Sequence, residues 1–189
     1  MQALGLAEPT PIQRQAIPAM LDGRELLAVA PTGSGKTFAF LLPILASLRV
    51  HRKQKQADDS EEPAEASAGP RAVVLSPTRE LAQQTHREMR LLTQGRRLRG
   101  RVLSKATAAA GGWGAVDVLF ATPLRLAALA GRGALDLSGV RWLVLDEADK
   151  LFELGFLEQA GVLRFVCVCA CVSARPRASM QARDNGNPP

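Results

Sequence analysis

The sequence lacks the stretches that would mark it for a membrane or for export. Its longest apolar run, Phe38 to Leu48, falls far short of the roughly 20 residues a spanning helix needs and is interrupted by Pro43. The N-terminus carries neither a basic n-region nor a small-residue cleavage site, so secretion is not expected. Cysteine is scarce as well: Cys167, Cys169 and Cys171 alternate within one short run. On a strand they would share a face, but C-x-C-x-C without partner histidines is not a zinc spacing. They read as free thiols in a reducing compartment. Acidic residues are outnumbered, 18 against 24 basic ones, and the net charge of +6 suits a polyanionic partner, nucleic acid first. The 189 residues suffice for one domain with a proper core and are too few for two large ones.

What is present is organised around Ala28-Val29-Ala30-Pro31-Thr32-Gly33-Ser34-Gly35-Lys36-Thr37. Leu26 to Ala30 reads as a buried strand and Phe38 to Leu48 as a helix. Thr32, Gly33, Ser34, Gly35, Lys36 and Thr37 form the turn between them, in the arrangement that cradles a nucleoside triphosphate. Gly33 and Gly35 let the backbone turn tightly, so that successive N–H groups point at phosphate oxygens. The helix behind them adds the positive end of its dipole. Lys36 supplies a point charge for the outer phosphates, and the Thr37 hydroxyl is placed to ligate Mg²⁺. One position departs from G-x-x-x-x-G-K-[ST]: Ala30 stands where the pattern has glycine.

Around this turn, Thr10-Pro11 opens a helix that runs to Met20-Leu21, with Pro18 expected to bend it. Residues 51–70 pass from basic (Arg52, Lys53, Lys55) to acidic (Asp58, Asp59, Glu61, Glu62, Glu65) and read as a disordered surface insertion. Further strands are predicted at Ala72–Ser76, Val102–Leu103, Val116–Ala121 and Val140–Leu145. A helix is predicted from Pro77 to about Thr93, another at Leu124–Ala130, and an Ala/Gly-rich loop at Ala106–Gly114. Apolar strands alternating with helices argue a parallel sheet covered on both faces. In such sheets ligands bind beyond the carboxyl ends of the strands, where Ser34–Thr37, Ser76–Glu80, Thr122-Pro123 and Asp146–Asp149 fall.

Asp146 directly follows a predicted strand. A carboxylate there in a phosphate-loop protein holds Mg²⁺ opposite Thr37, and Glu147 is placed to orient and deprotonate the attacking water. Asp146-Glu147-Ala148-Asp149 together with the Ala30–Thr37 loop resembles the first RecA-like domain of DEAD-box RNA helicases, in which alanine commonly opens the loop. The resemblance implies ATP and Mg²⁺ as cofactors and catalytic roles for Lys36, Asp146, Glu147 and Asp149. Pro9-Thr10-Pro11-Ile12-Gln13 resembles the family's Q motif, in which the glutamine reads adenine; a carboxamide can pair with N6 and N7. Pro77-Thr78-Arg79-Glu80-Leu81 resembles motif Ia and Thr122-Pro123-Leu124-Arg125-Leu126 motif Ib. Pro77, Thr78, Arg79, Thr122, Pro123 and Arg125 are therefore the expected RNA-backbone contacts, without sequence preference. Gly111-Gly112 is a candidate for the double-glycine motif. The Arg96, Arg97, Arg99 and Arg101 cluster stays open between RNA contact and a solvated face.

The resemblance covers about residues 4 to 157, and its details are similar to the Rok1-like branch, which acts in early small-subunit ribosome assembly in the nucleolus. It implies an α/β, RecA-like domain over residues 1–160, incomplete at its C-terminus, followed by an atypical, partly disordered tail at 161–189. Ser173-Ala174-Arg175 lacks the threonine of the family's Ser-Ala-Thr motif, and the second RecA-like domain is absent, as in a truncated or spliced product. The run Val166 to Val172 is expected to leave an unpaired sheet edge. Expected partners are RNA and pre-ribosomal proteins, with no membrane, for a monomer in the nucleus. Such a chain is expected to hydrolyse ATP slowly and not to unwind duplexes. The alternative is a non-catalytic fragment that binds RNA or a partner.

Overall fold

In the computed structural model, which describes residues 8–57, 69–153 and 169–173, six strands form one parallel sheet. They are β1 (Leu26–Val29), β2 (Ala72–Leu75), β3 (Gly100–Val102), β4 (Val118–Ala121), β5 (Trp142–Asp146) and β6 (Cys169–Ser173), in the spatial order β1-β6-β5-β2-β4-β3. Strands β2 and β4 are buried at every position, as their unbroken apolar sequences require.

Right-handed crossovers then decide which face each helix covers. The steps β1→β2 and β2→β3 both run toward the β3 edge and lay α2 (Lys36–Ala57) and α3 (Arg79–Leu92) on one face. There Phe40, Leu41 and Ile44 of α2 and Met89 of α3 share a core with Val74, Phe120 and Val144. The steps back toward β1 lay α4 (Lys105–Ala110), α5 (Pro123–Ala130) and α6 (Ala148–Glu153) on the other face. Leu126, Leu129 and Leu151 pack there with Val73, Leu119, Leu143 and Leu145. Helix α1 (Pro11–Leu21) lies against α2 and adds Met20 to the first core.

Four expectations change. Helix α2 starts at Lys36 and runs to Ala57, so the first residues of the expected insertion are helical, and Pro43 sits inside the helix without ending it. Residues 58–68 lie outside the described residues. The predicted loop at Ala106–Gly114 is helical up to Ala110, because Ser104 and Thr107 cap it reciprocally and alanine is the best helix former. In that capping box Ser104 N–H donates to Thr107 Oγ1 at 2.7 Å and Thr107 N–H to Ser104 Oγ at 3.1 Å. Strand β5 ends one residue later than expected and takes Asp146 into the ladder. The largest change is at β6. It is not an unpaired edge: it lies between β1 and β5, pairing Cys171 with both Leu27 and Leu145. A four-residue or longer apolar strand finds more hydrogen-bond partners inside a parallel sheet than at its margin. Cys167 lies outside the described residues.

Candidate active site

The phosphate loop leaves β1 and returns as α2, with Gly33 and Gly35 at φ +77° and +88°, values that side-chain-bearing residues rarely adopt. Ser34 Oγ donates to Pro31 O at 2.8 Å and closes the loop on itself. Lys36 reaches back across it: Nζ donates to Ala30 O at 2.7 Å and to Pro31 O at 3.2 Å. The ammonium is thus already aimed over the loop, held by neutral carbonyls that a phosphate oxygen would outcompete.

Gln13, the expected adenine reader, sits where α1 meets the phosphate loop. It is only 2% exposed, and both ends of its carboxamide are used inside the protein. Oε1 accepts from Thr10 N–H at 3.1 Å, and Nε2 donates to Gly35 O at 3.1 Å. The glutamine therefore ties α1 to the loop. A Cβ on Gly35 would come within 2.5 Å of Gln13 Nε2, at a φ that already disfavours alanine. Gly35→Ala is expected to weaken Mg·ADP binding roughly tenfold or more, since left-handed strain of about 1–2 kcal/mol adds to the displaced tie. Titration with a fluorescent ADP checks this, and unchanged affinity would contradict it.

Across from the loop stand Asp146, at the tip of β5, and Glu147, which links β5 to α6. Burial, and then the neighbouring Glu147 carboxylate, push the Asp146 carboxyl up to about 6, against a smaller opposing pull from Lys36. Glu147 has φ +52°, the one non-glycine residue at positive φ among the described residues. Such a backbone costs about 1–3 kcal/mol and persists where the surroundings fix it. Here Glu147 O accepts from Lys150 and Leu151 N–H, at 3.0 and 3.2 Å, and Lys150 Nζ holds Glu147 Oε2 at 2.6 Å. Asp149 sits in the first turn of α6, half-buried and outside the cleft wall.

The loop and the two acids enclose a cleft of about 400 Å³, walled by Thr32, Gly33, Gly35, Lys36 and Thr37 on one side and Asp146 and Glu147 on the other. No cluster of three or more His, Cys, Asp or Glu able to cage a metal occurs among the described residues. Mg²⁺ needs no such cage, since it takes one or two protein oxygens and completes its shell with phosphate and water. Thr37 and Asp146 supply hard oxygen donors on opposite walls.

Sequence reasoning missed the third wall. Leu81, Gln84, Thr85 and Glu88 of α3 also line the cleft. Their spacing of three and four residues marks one helix face, a signal available once α3 is known to start at a strand tip.

The expected RNA contacts gather outside the cleft. Strands β2 and β4 are neighbours, in register from Leu75 with Ala121, so the N-termini of α3 and α5 emerge side by side. Thr78 caps α3, its Oγ1 accepting from Leu81 N–H at 3.3 Å, while Arg79 is exposed and Pro77 half-buried. Thr122 is the N-cap of α5, Pro123 is buried at its first position and Arg125 is half-exposed. Gly111 and Gly112 follow α4 at φ +61° and +71°, a conformation that accounts for two adjacent glycines.

The family model described as DEAD/DEAH box helicase matches residues 10–179. The chain belongs to that family. The match runs past residue 157, where the resemblance was expected to end, and takes in β6. The chain is 49% identical over 160 residues to the DEAD-box ATP-dependent RNA helicase 57 of Oryza sativa, covering 84% of this chain and 27% of that protein. It is 44% identical over 157 residues to the ATP-dependent RNA helicase ROK1 of Scheffersomyces stipitis, covering 80% of this chain and 26% of that one. It thus groups with the Rok1-like branch of DEAD-box helicases, and spans little more than a quarter of the length of these relatives. Among solved structures, the RNA helicase Prp28 of Chaetomium thermophilum bound to ADP superposes with a TM-score of 0.74 at 34% identity, over 93% of this chain and 42% of that one. This establishes the RecA-like fold of a DEAD-box domain.

Proposed function

We propose that this chain is the ATP-binding half of an RNA-dependent ATPase that works in ribosomal RNA processing in the nucleolus. The observation that carries the reading is the single cleft between Lys36 and Thr37 on one wall and Asp146 and Glu147 on the other. Thr37 and Asp146 would hold Mg²⁺, which when bound neutralises charge across the outer phosphates. Lys36 leaves its loop carbonyls to grip the phosphate. Glu147, aimed by Lys150, takes a proton from the attacking water. Thr78, Arg79, Thr122 and Arg125 hold RNA by phosphate and sugar at the adjacent strand tips, with Pro77 and Pro123 shaping those turns. The chemistry resides before residue 160, and β6 completes the sheet beneath it.

The test is RNA-stimulated phosphate release by the purified chain against Glu147→Gln. Slow turnover is expected for the parent, since an arginine contributed by another domain is worth about 10³–10⁵ in rate. Glu147→Gln should fall to background while Mg·ADP binding is retained. Equal rates would overturn the assignment of Glu147. No strand separation above a Lys36→Ala control is expected.

Nucleotide binding should also depend on pH, through Asp146. Its carboxyl is raised in the folded protein to about 6, so the folded state holds a proton that the unfolded chain, with an ordinary carboxyl near 4, has already released. Folding stability therefore falls as pH rises from about 4 to 6. Mg·ADP affinity moves the other way, because the metal needs the carboxylate. It should rise roughly tenfold per pH unit below 6 and level off above 7. An affinity flat from pH 5 to 8, measured by fluorescence anisotropy, would contradict this.

A second reading is that these 189 residues bind RNA or a partner of a larger enzyme without turnover of their own. Binding without any Glu147-dependent phosphate release would select it.

A further inference from the structure

Helix α3 brings to the cleft an acid that the chemistry above leaves unused. Its cleft-lining residues are Leu81, Gln84, Thr85 and Glu88. Leu81 is apolar, and Thr85 turns its hydroxyl back on its own helix, donating to Leu81 O at 3.1 Å. The polar side chains left to meet an occupant are Gln84, which is exposed, and Glu88, which is half-buried. Gln84 Nε2 donates to Glu88 Oε1 at 3.5 Å, one turn away on the same face. Helix spacing gives Glu88 no cation of its own, because the positions three and four residues away are Thr85, Leu91, Gln84 and Leu92. The charge of Glu88 reaches across to β5. Among the influences that raise the Asp146 carboxyl it follows burial and Glu147, as the smallest of the three.

Three carboxylates, those of Glu88, Asp146 and Glu147, thus line a cleft proposed to hold a polyanion. A carboxylate beside a bare phosphate chain repels it, whereas a carboxylate beside a divalent cation attracts it. Asp146 and Glu147 are already assigned to the metal and to the attacking water; Glu88 is not. It does not complete a cage of direct ligands, since no cluster of three or more acids able to hold a metal occurs among the described residues. Mg²⁺ keeps several of its waters, and an acid on the wall can accept hydrogen bonds from them. We propose that Glu88 makes the cleft select metal-bound over metal-free nucleotide, accepting from water of the Mg²⁺ shell and repelling phosphates that arrive without the ion. The proposal rests on the nucleotide-binding reading above and adds a specificity-determining residue to it. Glu88 acts through water and through its charge, and takes no part in the proton transfer assigned to Glu147.

The test titrates a fluorescent ADP into the full 189-residue chain, once with excess Mg²⁺ and once with EDTA, for the parent, Glu88→Gln and Glu88→Asp. A buffer of about pH 8 keeps Asp146 ionised throughout, its carboxyl lying at about 6. The quantity read is the ratio of the two affinities. Glu88→Gln keeps the shape and loses the charge. It should weaken Mg·ADP about threefold and tighten metal-free ADP about threefold, so that the ratio falls roughly tenfold. Glu88→Asp keeps the charge on a shorter stem and should retain most of the ratio. Thermal unfolding certifies the fold of both variants. A ratio in Glu88→Gln within about twofold of the parent's overturns the proposal; equal weakening with and without metal is one such case, the signature of a glutamate that only supports the helix. A fall as large in Glu88→Asp as in Glu88→Gln overturns it too, because side-chain length and not charge would then be responsible. Failure of the parent chain to bind Mg·ADP is a separate outcome that removes the nucleotide-binding reading itself.

Discussion

Lys36→Ala is expected to weaken Mg·ADP binding by roughly 10- to 100-fold, the range set by losing charge-assisted hydrogen bonds of about 1.5–3 kcal/mol. Two effects coincide in the side chain. It carries the one cation on the cleft wall among the described residues, and it pins the phosphate loop through Ala30 O and Pro31 O. Lys36→Arg separates them: it keeps the charge but misplaces it, because a planar fork does not fit a turn built around a point charge. An intermediate loss for the arginine variant is expected. Full affinity in the alanine variant, by calorimetry, would show that the loop backbone alone carries binding.

The second large effect is on stability and lies far from the cleft. Asp117→Ala should lower the free energy of unfolding by about 3 kcal/mol, the lower part of the range for breaking a buried pair by removing one partner. Asp117 and Arg71 side chains are 14% and 20% exposed, so water cannot fully replace what is lost. The substitution also strips the acceptor from Arg99 N–H and leaves Arg71 with Leu48 O, at 3.2 Å, as its other partner. Asp117→Asn keeps an acceptor for the N–H group and should cost less. Urea unfolding measures both, and a loss under about 1 kcal/mol for alanine would mean that solvent screens the pair.

That pair also marks where the sequence stops being informative. Arg71 and Asp117 are 46 residues apart, and neither sits in a motif. They meet only because β2 and β4 become neighbours, a fact of topology that local patterns do not contain. The phosphate loop, by contrast, is specified within ten consecutive residues, and Asp146-Glu147 announces itself by following an apolar strand. Those local signals, with the alternation of strands and helices, were enough for the fold class and both main walls of the cleft. The α3 wall was hidden because Leu81, Gln84, Thr85 and Glu88 acquire meaning only when α3 is set over the loop. The motif around Gln13 points to adenine, whereas its tie to Thr10 N–H through Oε1 and to Gly35 O through Nε2 depends on α1 meeting the loop, which no local pattern contains. From composition alone β6 reads as a margin, because nothing in it hints at its two neighbours.

The most direct measurement is calorimetric titration of Mg·ADP into the folded chain, with and without chelator. One binding site is expected, whose heat depends on Mg²⁺ and is reduced in Asp146→Asn. Absence of heat at millimolar nucleotide would contradict it, leaving a helicase fold whose facing loops do not grip a nucleotide.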